Sequence, residues 1–258
     1  MSAPIRAKKH LGQHFLKDGD IAERIAQSLT HHGGYRDVLE IGPGTGALTE
    51  HLLKRTDIDL TCVELDTESV EHLAAEHPTL KVLEADFLRM DLDRFGTGPI
   101  AVIGNFPYNI STQIIFKVLE HRDRVTEVVG MFQKEVADRY AAKPGSRTYG
   151  ITSVLTQTWY DIEQLMVVER EAFIPPPKVR SAVIRLQRNA VKELPCDEQL
   201  LFRLVKAAFN QRRKTLHNAL KGFAPLREGV PPPYATQRAE QLSVADFIAL
   251  AQACDPIR

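Results

Sequence analysis

Cysteine is scarce. Cys62, Cys196 and Cys254 are the only three in 258 residues, an odd number without a CxxC pair, which excludes a disulfide framework and offers no thiolate metal motif. Cys62, inside the apolar run Leu60-Thr61-Cys62-Val63, reads as a buried structural thiol. The histidines contain no HExxH, and His31-His32 before Gly33-Gly34 reads as a solvated helix end rather than a metal site. No apolar run approaches the roughly 20 residues of a bilayer crossing. The first fifteen residues lack the apolar core of a secretory signal, so the cytoplasm is the expected compartment. Net charge is missing as well: 33 Lys plus Arg meet 33 Asp plus Glu, and the whole-chain charge names no partner. What the chain does have is 43% hydrophobic and 26% charged residues, a composition that supports a real core.

The zero net charge hides a split. Asp37 to Asp93 carries 4 basic against 14 acidic side chains, and Phe173 to Ala224 carries 11 against 3. Such asymmetry points to an anionic partner on one part of the chain, although solvated helix faces give the same counts. Short apolar runs at 38–41, 60–65, 81–85, 100–104, 125–132, 162–168 and 181–187 alternate with helical periodicity at 19–31, 48–55, 69–76, 112–121, 133–141 and 150–158. That alternation predicts an α/β fold with a doubly wound, seven-stranded, mostly parallel sheet over residues 1–190. After Pro195 the strand signals stop. Residues 197–223 read as one long helix, 225–233 as a proline-rich connection, and 239–253 as a last helix with Ser243 as a cap inside it or the start of a second piece. Residues 191–258 are thus expected to form a small helical subdomain.

Val38-Leu39-Glu40-Ile41 runs straight into Gly42-Pro43-Gly44-Thr45-Gly46, the turn that lets a ligand approach backbone over a helix N-terminus. The glycines alone also fit a dinucleotide cofactor. Three carboxylates narrow the choice. Glu40 precedes the turn, Glu64 ends the second strand, and Asp86 with Phe87 follows the third. Acids around the turn suit a ligand carrying a sulfonium and an ammonium better than a pyrophosphate, so the expected cofactor is S-adenosylmethionine: Glu64 would take ribose hydroxyls, and Asp86 and Phe87 would read and stack an adenine.

The fourth strand ends in Gly104-Asn105-Phe106-Pro107-Tyr108. An exocyclic adenine amine is a poor nucleophile because its lone pair is delocalised into the ring. The Asn105 side-chain carbonyl and the Phe106 backbone carbonyl can hold both its N–H bonds, Pro107 can stiffen the turn, and Tyr108 can stack on the base. Orientation then carries the catalysis. Further on, Phe173 precedes Pro175-Pro176-Pro177 and is expected to complete a base sandwich with Tyr108; a core anchor is the plainer alternative. Lys8, Lys9, Lys178, Arg180, Arg212, Arg213, Lys214 and Lys221 read as phosphate contacts.

Gly12-Gln13-His14-Phe15-Leu16, the glycine turn, Glu64, Asp86, the Asn105 turn, the Phe173 proline loop through Ser181-Ala182-Val183, and Phe209 to Leu216 together resemble the ribosomal RNA adenine N6-dimethyltransferase family, in its bacterial small-subunit branch. The resemblance implies a class I methyltransferase fold with a helical carboxy-terminal domain, S-adenosylmethionine as cofactor, and 16S rRNA or the assembling small subunit as partner. It also implies that Gln13, His14 and Leu16 close over the cofactor, that Gly42, Glu64 and Asp86 bind it, and that Asn105 touches both cofactor and substrate. A monomer, no metal and no membrane are expected. Phe106 stands where the family usually has Leu, and His14 where many members have Asn. The alternatives are a large-subunit adenine methyltransferase, a non-catalytic RNA-binding assembly factor on the same fold, and an NAD-dependent oxidoreductase.

Overall fold

A computed structural model describes residues 5, 7–8, 11–226 and 229–254. Seven strands form one sheet in the order β4-β3-β2-β5-β6-β9-β7, with β2 Asp37–Ile41, β3 Asp59–Glu64, β4 Lys81–Glu84, β5 Ile100–Asn105, β6 Val125–Gln133, β7 Tyr160–Val168 and β9 Ser181–Arg188. β2 to β6 pair in parallel, whereas β9 runs antiparallel to β6. Helices α1 (Gly19–Gln27), α2 (Thr49–Leu52), α3 (Thr67–Glu76), α4 (Ser111–Glu120) and α5 (Lys134–Tyr140) follow or precede the parallel strands. Val38, Ala101, Ile103, Val129 and Met131 are fully buried and share one cluster with Ile25 and Ala26 of α1. Near-continuous apolar strands of this kind are what a sheet covered on both faces requires.

Strand order positions the site. From β2 the chain winds outward to β3 and β4, then returns to lay β5 on the other side of β2. The crevice at that reversal is where open α/β sheets bind ligands. Because β2 and β5 are neighbours, with Glu40 opposite Ile103, the glycine turn and the Asn105 turn emerge side by side. Gly104 is required at this spot: a Cβ there would lie 2.5 Å from the Ile41 carbonyl oxygen.

A second sheet was not expected from periodicity. β1 (Phe15–Leu16) pairs antiparallel with β8 (Phe173–Ile174), Leu16 opposite Phe173. Two residues per strand are too few to show alternation, yet this ribbon stitches the amino-terminal arm to the proline loop.

Contacts divide the chain into two compact units, one holding the chain to Ala137 plus Asp161–Arg188, the other Asp138–Tyr160 plus the chain from Asn189 onward. Helix α6 (Ile151–Gln157) therefore shares a core with the carboxy-terminal helices, through Tyr149, Val154, Leu204, Phe209 and Phe247. The expected long helix over 197–223 is two helices. α7 (Glu198–Asn210) is capped by Asp197, whose side chain accepts from Leu200 N–H at 2.8 Å, and after a turn at Gln211 to Thr215 the chain resumes as α8 (Leu216–Ala219). The break lets Thr215 bridge to Arg238, a pairing invisible to helical periodicity. The last helix, α9 (Val244–Gln252), starts at Ser243, which caps it by accepting from Asp246 N–H, so Ser243 begins a second piece after a 3₁₀ turn at Ala239–Gln241. No helix among the described residues is long and apolar enough to cross a membrane.

Candidate active site

The glycine turn leaves β2 with Gly42, Gly44 and Gly46 at φ of 67°, 57° and 86°, a region that strains any L side chain. Gly44 has a steric reason too, since a Cβ there would meet the Phe15 ring at 2.8 Å. Its N–H donates to Glu64 Oε2 at 3.1 Å, while the N–H groups of Leu65 and Asp66 donate to Glu64 Oε1 at 2.8 and 2.9 Å. Burial pushes the Glu64 carboxyl up, and the three backbone donors pull it back. The acid is thereby fixed at the end of β3 with one lone pair to spare for a ligand. Gly42, Gly44, Glu64 and Asn105 line one cleft together with Leu65, an apolar side chain left 55% exposed. A carboxylate acceptor, a glycine wall and an uncovered leucine suit a ribose-bearing cofactor.

At the end of β5 the Asn105 side-chain amide donates through Nδ2 to the His14 carbonyl at 2.8 Å. The amino-terminal arm therefore sets which way the amide points, and Oδ1 is left as its acceptor end. A Cβ on Gly42 would lie 3.5 Å from Pro107 Cδ, so the glycine turn and the Asn105 turn run close to each other. The Tyr108 hydroxyl bonds Ser181 Oγ at 2.5 Å, and its ring lies 5.4 Å from that of His14. His14 Nδ1 in turn bonds the Pro175 carbonyl at 2.8 Å. Gln13 accepts from Lys8 N–H at 2.8 Å. A second cleft, of about 550 Å³, opens beside the first and shares with it Gly12, Gln13, His14 and Tyr108; its volume suits a small-molecule or base site.

Several expected site residues lie elsewhere. Glu40 is only 1% exposed and accepts from Thr49 Oγ1 at 2.7 Å and from Cys62 Sγ at 3.4 Å; it braces the glycine turn from inside and does not line the cleft. Gly46 turns toward Leu73. Asp86 caps a 3₁₀ turn at Leu88 N–H, and Phe87 is buried beside the Lys117 ammonium; neither lines the cleft. Leu16 is core. Phe173 corrects the sandwich expectation: at 1% exposure it is a core anchor paired with Leu16, because β8 turns its ring inward. Phe106 also packs inward, edge-on to Phe132, which leaves its backbone for the site.

Among the expected phosphate contacts, Lys8 is occupied by Asp66 at 2.5 Å and Glu68 at 3.0 Å. Arg212 is held by Glu240 at 2.6 Å and donates to the Arg147 carbonyl at 2.6 Å. Both are clips. Arg180 is paired loosely with Glu169 at 3.5 Å, and Lys178, Arg213, Lys214 and Lys221 are exposed. Lys9 lies outside the described residues. Asp66 and Gln133, which lines the second cleft, carry no signal in the sequence, and Ser181 enters there only as the end of the proline-loop motif; a lone Ser, Asp or Gln has no spacing signature, and only the pairing of β6 with β9 brings Gln133 and Ser181 together.

The chain is 56% identical over 248 residues to a ribosomal RNA small subunit methyltransferase A of Cytophaga hutchinsonii, covering 95% of this chain and 96% of the relative. It is 51% identical over 254 residues to that of Flavobacterium johnsoniae, covering 96% and 95%. Among solved structures, a dimethyladenosine transferase from Plasmodium falciparum superposes with a TM-score of 0.74 at 26% identity, covering 92% of this chain and 96% of the other. The 23S rRNA methyltransferase ErmE gives 0.67 at 26% identity, covering 92% and 99%. The profile of the ribosomal RNA adenine dimethylase family matches residues 5–251. With the profile spanning nearly the whole sequence and the Asn105 turn intact at the switch point, the chain belongs to the ribosomal RNA adenine dimethylase family.

Proposed function

We propose that the protein transfers methyl groups from S-adenosylmethionine to N6 of two adjacent adenines in a hairpin near the 3′ end of 16S rRNA, in the cytoplasm, during small-subunit biogenesis. The observation that carries the reading is the Asn105 amide, whose Nδ2 is spent on the His14 carbonyl. That bond dedicates Oδ1 to accepting. When bound, S-adenosylmethionine supplies an electrophilic methyl on a sulfonium. Glu64 would accept from a ribose hydroxyl, and Leu65 would offer an apolar surface to the cofactor. Asn105 Oδ1 and the Phe106 carbonyl accept the two N6–H bonds of the target adenine and turn its lone pair toward the methyl. Tyr108, its hydroxyl anchored on Ser181, stacks on the ring. Methylation makes the nitrogen acidic, so the proton leaves without a strong base, and positioning supplies the acceleration.

The small-subunit target is favoured over the large-subunit one by relatives of that name at 56% and 51% identity, against 26% for ErmE. Incubation with labelled S-adenosylmethionine and either unmethylated small subunits or large-subunit rRNA, followed by mass spectrometry of digested RNA, tests this. Dimethyladenosine at two neighbouring 16S positions is the expected product. Label in the large-subunit rRNA, or none in either, overturns it; the second result with cofactor binding intact would favour an assembly factor.

A further inference from the structure

With Phe173 turned into the core, a different part of the proline loop is left facing solvent. Ile174 is 57% exposed and Val179 46% exposed, two β-branched apolar side chains flanking Pro175 to Pro177. Val179 stands at the rim of the second cleft, and the exposed cations Lys178 and Arg180 adjoin it. Isolated exposed apolar residues are ordinary; a pair on a braced loop beside a base-sized cleft is not. The bracing is specific. The Ile174 backbone is paired to Phe15 in the small ribbon, the Pro175 carbonyl is held by His14 at 2.8 Å, and the Arg180 carbonyl accepts from Lys134 N–H at 2.9 Å. Ser181, fully buried, ties the loop's far end to Tyr108.

A target adenine must leave its stack to reach a cleft of this kind, and the vacated stacking surface is what makes extrusion costly. Stiff apolar side chains inserted between bases are a known way to offset that loss, and Lys178 and Arg180 supply complementary charge for the adjoining phosphates. We propose that Ile174 and Val179 form a wedge that stacks in place of the extruded adenine, so that the loop recognises a structured RNA hairpin and not merely an adenine. The proposal rests on the RNA-methyltransferase reading above.

Two substrates separate the proposal from that reading: a hairpin RNA holding the two adenines, and an unstructured strand of the same local sequence. Ile174→Ser, at an exposed position, is expected to lower the ratio of hairpin to single-strand methyl transfer by about tenfold, and I174S/V179S by more. A hairpin carrying 2-aminopurine at the target position should brighten on binding wild type and stay dim with the double variant. Equal losses on both RNAs, or an unchanged ratio with unchanged fluorescence, overturns the wedge while the methyltransferase reading stands. Wild type inactive on both RNAs overturns the reading, and the wedge with it.

Discussion

Glu40 shows what a single side chain does when burial contradicts its expected role. It is sealed beneath the glycine turn, and desolvation pushes its carboxyl up to about 7, against the lowering effect of the Thr49 and Cys62 hydrogen bonds. A folded-state value above the unfolded one means that the native protein binds the extra proton. Its contribution is therefore full below about pH 4.5 and is lost as pH rises to about 7. Glu40→Gln removes that titration and retains an acceptor for Thr49. The stability advantage of the variant over wild type should grow by on the order of 2 kcal/mol between pH 5 and pH 8, read by denaturant melts at both pH values; a constant difference would contradict it. Sequence reasoning saw an acid at a strand end but had no signal for which face of β2 it occupies. Glu64, one strand over, was legible as a cleft residue because that placement needs only the end of a parallel strand. Asn105 was legible as a cleft residue because the whole turn that ends β5, and not one residue, marks the position.

At the scale of elements, the seven strands and the switch point could be read from apolar runs, since both faces of the sheet are covered and the runs are uninterrupted. The ribbon of β1 and β8 and the break between α7 and α8 could not, because each rests on long-range pairing. Phe106 illustrates coupling between elements. Its ring packs against Gly130 on β6, where a Cβ would lie 2.9 Å from Phe106 Cδ2 and 2.7 Å from Phe132 Cε2. The large aromatic at 106 is therefore matched by the missing side chain at 130. Gly130→Ala should destabilise the protein by about 1–3 kcal/mol through overpacking. Adding Phe106→Leu should recover part of that loss, a non-additivity that denaturant unfolding of both variants would reveal. Strictly additive losses would uncouple the two positions.

Across the whole molecule, the acidic stretch 37–93 contributes the glycine turn and Glu64, and the basic stretch 173–224 contributes the proline loop and the exposed cations, so in the proposed function the charge split follows the division between cofactor and RNA. Not every cation belongs to that division: Arg212 is spent on Glu240, whereas Arg213 and Lys214 are exposed. Arg213→Glu with Lys214→Glu should weaken RNA binding and flatten its salt dependence, each lost phosphate contact reducing the log–log slope by about 1. Arg212→Glu should instead lower thermal stability by setting two acids against each other. An unchanged salt slope in the double variant would remove these residues from the RNA interface. In the proposed mechanism an oriented amide drives the methyl transfer. This is tested most directly by comparing wild type with Asn105→Ala on small subunits lacking adenine methylation, using labelled S-adenosylmethionine and mass spectrometry of the digested 16S rRNA. The expected result is two adjacent dimethyladenosines with wild type and a loss of at least about a hundredfold with the variant, RNA binding being retained. Equal yields from the two proteins would contradict it.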